Sequence, residues 1–307
     1  MSVALFTHPA ALGHDTGPDH PECAERLRYV LRALDAPDFS HLLRELAPLA
    51  TPAQLKAAHD ADYIDAVLGW SGEPVRHIDG DTVFGPGTRE AALRAAGGAA
   101  AAVDAVMEGW AQAAFVAMRP PGHHAEADRP MGFCFFNNAA VAARQAQRKW
   151  GLTRIAIVDF DVHHGNGTQH IFSQDPQIFY ASSHQSPCFP GTGAQSETGM
   201  GNILNVPLPP GATGELFREA WSTALLPRLA DFAPQILILS AGFDAHAADP
   251  LAQLRLKEPD FAWATRELLA IADAHCPGRV VSLLEGGYDP TALAQSCATH
   301  VRALMRL

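Results

Sequence analysis

From Asn137 onward the chain alternates short runs of Val, Ile and Leu with longer stretches of helical character, and this rhythm limits the fold more than any other feature. The strand-like runs are Arg154–Phe160, Gln177–Ser182, Ile203–Pro207, Gln235–Ser240 and Arg279–Leu284. The helix-like segments are Asn137–Trp150, Thr213–Phe232, Glu258–His275 and Pro290–Leu307. Continuous apolar runs suit strands buried on both faces, and strands separated by helices predict a parallel sheet covered by helices on both sides. Two earlier runs, Val3–Phe6 and Ala113–Met118, add strands. Glu22–Leu34, Thr51–Trp70 (broken near His59-Asp60) and the Ala-rich Thr88–Trp110 add helices. Residues 7–22, 69–87 and 119–136 read as loops. No internal repeat, polar linker or shift of composition divides the chain, so residues 1–307 read as one α/β domain. A hydrophobic fraction of 48% can supply its core.

In open parallel sheets, ligands bind beyond the carboxyl ends of the strands. Four such ends here carry polar chemistry. Ala113–Met118 leads into Arg119-Pro-Pro-Gly-His123-His124-Ala. Arg154–Phe160 leads into Asp161-Val-His163-His164-Gly-Asn166-Gly. Gln235–Ser240 leads into Ala241-Gly-Phe-Asp244-Ala-His246, and Arg279–Leu284 into Glu285-Gly-Gly-Tyr288-Asp289. The topology gathers all four at one rim.

Asp159, Asp161 and His163 are spaced i, i+2, i+4, so an extended chain would present them on one face. Two carboxylates and an imidazole there predict a metal site, with Zn²⁺ the default ion; the alternative is that they only cap the strand. Asp244 can supply a further ligand. Two carboxylates and one neutral His carry a charge of −2, and three protein ligands leave a position open, the catalytic pattern. Beside a metal-activated water, His123 and His124 are candidate general bases. Asp159 and Asn166 are candidate partners for them, and the ring paired to a carboxylate should charge more readily than the ring paired to an amide. Tyr288, after two glycines, is a candidate donor to an oxyanion. Gly132-Phe133-Cys-Phe-Phe and Phe189-Pro-Gly-Thr-Gly can line an apolar tunnel, or simply pack.

Charge narrows the partners. With 22 Lys+Arg against 33 Asp+Glu, the formal net charge is −11, which argues against direct nucleic-acid binding. Five scattered cysteines without a C-x-x-C pair point to a reducing compartment. The first residues lack a secretory pattern, and Ala91–Trp110 contains Arg94, Asp104 and Glu108, so no membrane span is expected. The chain reads as a soluble cytoplasmic protein.

These motifs, in this order, resemble the zinc-dependent histone deacetylase family within the arginase/deacetylase fold. The matching segments are Arg119-Pro-Pro-Gly-His-His-Ala, Gly132-Phe-Cys-Phe-Phe-Asn-Asn, Val158-Asp-Phe-Asp-Val-His-His-Gly-Asn-Gly-Thr, Phe189-Pro-Gly-Thr-Gly, Ser240-Ala-Gly-Phe-Asp-Ala-His and Glu285-Gly-Gly-Tyr. His20-Pro-Glu…Arg26 and His59…Tyr63-Ile extend the likeness towards the N-terminus. The resemblance implies that Asp161, His163 and Asp244 bind Zn²⁺ and that Asp159 pairs with His123, an electrostatic partner. It implies that His124 is the main acid–base group and that Tyr288 polarises the acyl carbonyl. It further implies that Phe133 and Phe189 flank a substrate channel, that the Gly132 carbonyl holds the substrate amide, and that K⁺ binds near Asp159, Asp161, His163 and Ser182. Asn166, where one branch has Asp, and Glu285-Gly-Gly-Tyr point to the class II-like and bacterial branch.

The implied activity is zinc-dependent deacetylation of an amine, foremost N-acetyl-lysine in a protein or peptide. Relatives that prefer acetylpolyamines can carry a carboxylate where this chain has Leu251, which weakens the alternative of a small acetylated amine without removing it. An arginase-type site with two Mn²⁺ would need more bridging carboxylates. A non-catalytic binder would be expected to lack a ligand, base or Tyr. The oligomeric state is left open, a homo-oligomer included.

Overall fold

The computed structural model describes residues 1–307. In chain order its strands are β1 (Val3–Thr7), β2 (Leu43–Leu46), β3 (Arg76–His77), β4 (Val83–Phe84), β5 (Ala113–Val116), β6 (Ile155–Asp159), β7 (Ile178–Gln185), β8 (Ile203–Leu208), β9 (Ile236–Ala241) and β10 (Val280–Leu284). Its helices are α1 (Ala24–Ala33), α2 (Pro52–Leu55), α3 (Ala61–Gly69), α4 (Thr88–Glu108), α5 (Asn138–Trp150), α6 (Asn166–Phe172), α7 (Gly214–Ala220), α8 (Leu226–Phe232), α9 (Glu258–His275) and α10 (Pro290–Met305). Eight strands form one sheet in the order β2-β1-β5-β10-β9-β6-β7-β8. Every pairing in it is parallel. β3 and β4 make a separate antiparallel hairpin.

Every residue of β5, β6, β9 and β10 is buried, so both faces of the central sheet are covered. This matches their nearly continuous apolar sequences, interrupted only by the buried Asp159, Ser240 and Ser282. Two helix groups provide the cover, α4 against α5, and α1 with α9 against α10. The interior of α4 holds a glycine pair because the chain crosses it closely: a Cβ on Gly97 would stand 2.1 Å from the Pro48 carbonyl oxygen. The helical cost of glycine, roughly 1 kcal/mol, is offset by that contact.

The strand order locates the site. β6 hands the chain on to β7, on one side, while β9 hands it on to β10, on the other. β6 and β9 are neighbours, so a crevice opens beyond their carboxyl ends.

Several sequence expectations shift. The helix expected from Glu22 begins at Ala24, because Glu22 is drawn into a buried ion pair instead. The single helix expected over 213–232 is interrupted by a π-helical turn at Trp221–Leu225. Strand β7 runs past Ser182 to Gln185. β3 and β4 lie in the stretch 69–87 that reads as loop, and β2 and α6 lie where the sequence assigns no element. No helix is long and apolar enough to cross a membrane.

Candidate active site

The extended conformation of β6 ends at Asp159, and the shared-face expectation for Asp159, Asp161 and His163 ends with it. The chain then folds back on its own carboxylates. Asp159 Oδ1 accepts from the Asp161 amide at 3.1 Å, and Asp161 Oδ1 from the His163 amide at 2.9 Å. The polar group divides as a result. Asp159 turns to His123 and to the Tyr180 hydroxyl, each 3.0 Å away.

Asp161 and His163 meet Asp244, which follows β9. His163 Nδ1 lies 3.1 Å from Asp161 Oδ1 and 3.2 Å from Asp244 Oδ2. The second oxygens are held by backbone: Val162 N–H donates to Asp244 Oδ1, and Gly286 N–H to Asp161 Oδ2, both at 2.8 Å. The three ligand atoms lie within 4.8 Å of one another and all three residues are buried. Burial, then repulsion from Asp161, pushes the Asp244 carboxyl up to about 7. Two carboxylates crowded into a dry site call for a cation, so the donor set fits a divalent metal ion.

The neighbouring histidines sit on the loop after β5. His123 Nδ1 pairs with Asp159 Oδ2, and His124 Nδ1 with Asn166 Oδ1 at 2.8 Å. Asn166 opens α6, and that short helix presents it to the ring. Burial lowers the basicity of both rings. At His123 the charges of Asp161 and Asp159 outweigh burial and raise the pKa to about 10. At His124 burial is reinforced by the neighbouring His123 and then His163, and the pKa falls well below the ordinary value.

Behind these rings a buried charge network fixes the loop after β10. Glu22 receives the Arg119 guanidinium at 2.5 and 2.7 Å and Arg26 at 2.8 Å. Arg26 in turn donates to the carbonyls of Gly287, at 2.5 Å, and Glu285, at 2.6 Å, and its guanidinium carbon stands 4.8 Å from the centre of the Tyr288 ring. Removing one partner of such a pair costs about 3–5 kcal/mol. Glu285 Oε2 accepts from the Gly122 and His123 amides, at 2.7 and 3.2 Å, anchoring the histidine loop. Asp249 Oδ2 accepts from the Tyr288 amide at 2.7 Å.

A cavity of about 190 Å³ opens onto these groups, lined by Asp81, His124, Gly132, Phe133, His163, Phe189, Leu251 and Tyr288. Its aromatic walls interlock: Phe189 lies 5.1 Å from the His124 ring, and Phe133 lies 5.8 Å from the Tyr288 ring. Gly132 has φ +53°, and a Cβ there would stand 2.4 Å from the His124 ring, so the wall approaches that ring through bare backbone. The Gly132 carbonyl receives the Cys134 thiol at 3.2 Å. Leu251 is 40% exposed at the mouth. Ser182 is buried beside Asp159 across the β6–β7 pair, its hydroxyl 2.9 Å from His184 Nδ1.

Sequence reasoning passed over Asp81, Asp249 and Glu126. Asp81 comes from the β3–β4 loop, whose two-residue strands leave no periodic signal. Asp249 and Glu126 lie inside loops whose motifs were read for other residues. A larger depression, of about 620 Å³ near Gln112 and Arg279, lies at the opposite ends of the strands and holds none of the site residues.

Comparison with known proteins supplies independent evidence. The family model described as histone deacetylase domain matches residues 20–304. A histone deacetylase-like amidohydrolase of Pseudomonas aeruginosa is 40% identical over 92% of this chain and 74% of its own length. Histone deacetylase 14, chloroplastic, of Arabidopsis thaliana is 39% identical over 98% of this chain and 76% of its own. The crystal structure of the HDA15 HD domain superposes with a TM-score of 0.94 at 34% identity, covering 99% of this chain and 88% of that one.

Proposed function

The chain belongs to the histone deacetylase family, and we propose that it is a zinc-dependent amidohydrolase that removes the acetyl group from N-acetyl-lysine in a protein or peptide. One observation carries this reading: a single narrow cavity is lined at once by a metal-ligand histidine, His163, by the weakly basic His124 and by Tyr288. Asp161, His163 and Asp244 would hold the ion. Bound there, Zn²⁺ would supply Lewis acidity and bring the pKa of water down to about 7.

The residues of the chain do the rest. Phe133 and Phe189 would flank the acyl-amine stem, and the Gly132 carbonyl would accept from the substrate amide N–H. His124, neutral and held through Nδ1, takes the proton of the attacking water at Nε2. Tyr288 donates to the carbonyl oxygen as negative charge develops; burial keeps the phenol protonated, well above its ordinary pKa, despite the pull of Arg26. The His123 imidazolium, balanced by Asp159, adds fixed positive charge. As the C–N bond breaks, His124 returns its proton to the leaving amine, giving acetate and the free amine. K⁺ near Asp159, Asp161, His163 and Ser182 would steady the same loop. We take residues 1–307 as one deacetylase domain working in the cytoplasm on acetylated substrates, without direct nucleic-acid or membrane contact.

Acetylpolyamine hydrolysis is the second reading, and Asp81 favours it. Asp81 lines the channel, and its carboxylate would be the group to receive a distal ammonium, since Leu251 brings no charge. Zinc-loaded protein should be assayed for acetate release from acetyl-lysine peptides and from N-acetylpolyamines. Higher kcat/KM on peptides, little changed in Asp81→Asn, supports the leading reading. Higher kcat/KM on polyamines, lost in Asp81→Asn, supports the second. No acetate from either would sink both.

A further inference from the structure

We infer that Glu126, in the loop that follows the histidine pair, sets the proton position on His124 by fixing which way the Asn166 amide faces. The inference rests on the reading of His124 as the base. One side of the Asn166 amide meets His124 Nδ1 at 2.8 Å. The other side meets Glu126 Oε1 at 2.8 Å, Met131 Sδ at 3.1 Å and the His124 carbonyl oxygen at 3.4 Å. A carboxylate, a thioether and a carbonyl only accept hydrogen bonds, so the NH₂ group must occupy that side. The amide oxygen is therefore turned to His124, and Nδ1 of that ring must carry the proton. Nε2, which has no protein partner, keeps its lone pair.

Glu126 dominates this choice. It is the one charged acceptor of the three, while a thioether is weak and the carbonyl is distant. It is itself clamped, since Arg129 donates to both of its oxygens at 3.0 and 2.9 Å. Without Glu126 the amide can rotate by half a turn and donate to Nδ1. The ring proton then moves to Nε2, and the atom that must accept a proton is blocked. Glu126 is thus a positioning residue, acting through Asn166 with no part in the cavity wall. The same carboxylate sits near Asp128 and His170 at the surface, but Arg129 already compensates its charge there.

The test compares Glu126→Ala with Glu126→Gln in zinc-loaded protein, reading kinetics together with ¹⁵N spectra of the histidine rings, His124 being assigned by its loss in His124→Phe. Glu126→Ala should lower kcat about 10- to 100-fold, the usual cost of losing such a support, with KM within about twofold. The spectrum should show His124 shifting from the Nδ1–H towards the Nε2–H tautomer. Glu126→Gln, which still offers an acceptor oxygen, should recover most of the rate and the original tautomer. Glu126→Leu reads the same effect should the alanine variant lose its fold. An unchanged tautomer in Glu126→Ala or Glu126→Leu, a loss confined to KM, or an equal loss in Glu126→Gln would overturn the inference. If wild-type protein releases no acetate at all, the functional reading fails, while the ring spectra still judge Glu126.

Discussion

His123 and His124 are adjacent in the chain, their ring centres are 4.0 Å apart, and both are buried, yet they are driven in opposite directions. His123 pairs with the carboxylate of Asp159, and the charges of Asp161 and Asp159 together take its pKa to about 10. His124 leans on the amide of Asn166 and is pushed well below the ordinary range. A carboxylate stabilises imidazolium by charge, whereas an amide oxygen only orients a ring N–H. The contrast also feeds itself, because a charged His123 suppresses the charging of its neighbour. In the function we propose, two copies of one side chain thereby serve as a fixed cation and a proton acceptor, the division that acid–base chemistry near pH 7 requires.

The contrast can be broken most severely by deleting the acceptor. His124→Ala should lower kcat by about 10²–10⁴, the range of a general base, while His123→Ala should lose less, about 10–100-fold; equal losses in single-turnover assays would erase the division. Tyr288→Phe should cost about 10²–10³ in kcat, as for one oxyanion donor, and should leave the pH limbs where they are. A fully active Tyr288→Phe protein, or a shifted acid limb, would mean that the phenol does not act apart from the histidines.

A smaller effect is expected from exchanging the partners. Asp159→Asn should reduce kcat by about 10–100-fold by weakening the imidazolium. The same exchange should change how stability depends on pH. The folded pKa of His123, about 10, lies above its ordinary 6.5, so its contribution is complete below 6.5 and lost as pH rises through 10. Wild-type stability should thus fall across that window more than that of Asp159→Asn, and parallel denaturation midpoints would refute the link. The mildest change is Asn166→Asp. A carboxylate there raises the basicity of His124, the base must be neutral to work, and the acid limb of kcat should move to higher pH, with about a three- to tenfold loss at pH 7. An unmoved limb would show that Asn166 does not set that basicity.

Much of this arrangement was legible in the sequence, for physical reasons. β6, β9 and β10 are fully buried and read as mainly apolar runs, and the rule for parallel sheets collects their polar ends at one rim. That rule alone places Asp161, His163 and Asp244 near one another, and the structure brings them within ligand distance. The equivalence first expected for Asp159, Asp161 and His163 was not correct, because a residue's own carboxylate can cap the next turn and end a strand. β2 was invisible for a different reason: its four residues, Leu-Arg-Glu-Leu, are all exposed at the sheet edge and carry no alternation. α6, seven residues beginning at Asn166, is too short to show a helical period. Asp81 and Glu126 matter through contacts between loops distant in sequence, and such contacts leave no local pattern.

The most direct measurement is neutron diffraction from deuterated crystals at neutral pH, which sees the ring deuterons themselves. Deuterium on both nitrogens of His123 and on Nδ1 alone of His124 is the predicted result. A neutral His123, or a His124 carrying deuterium on Nε2, would contradict the account.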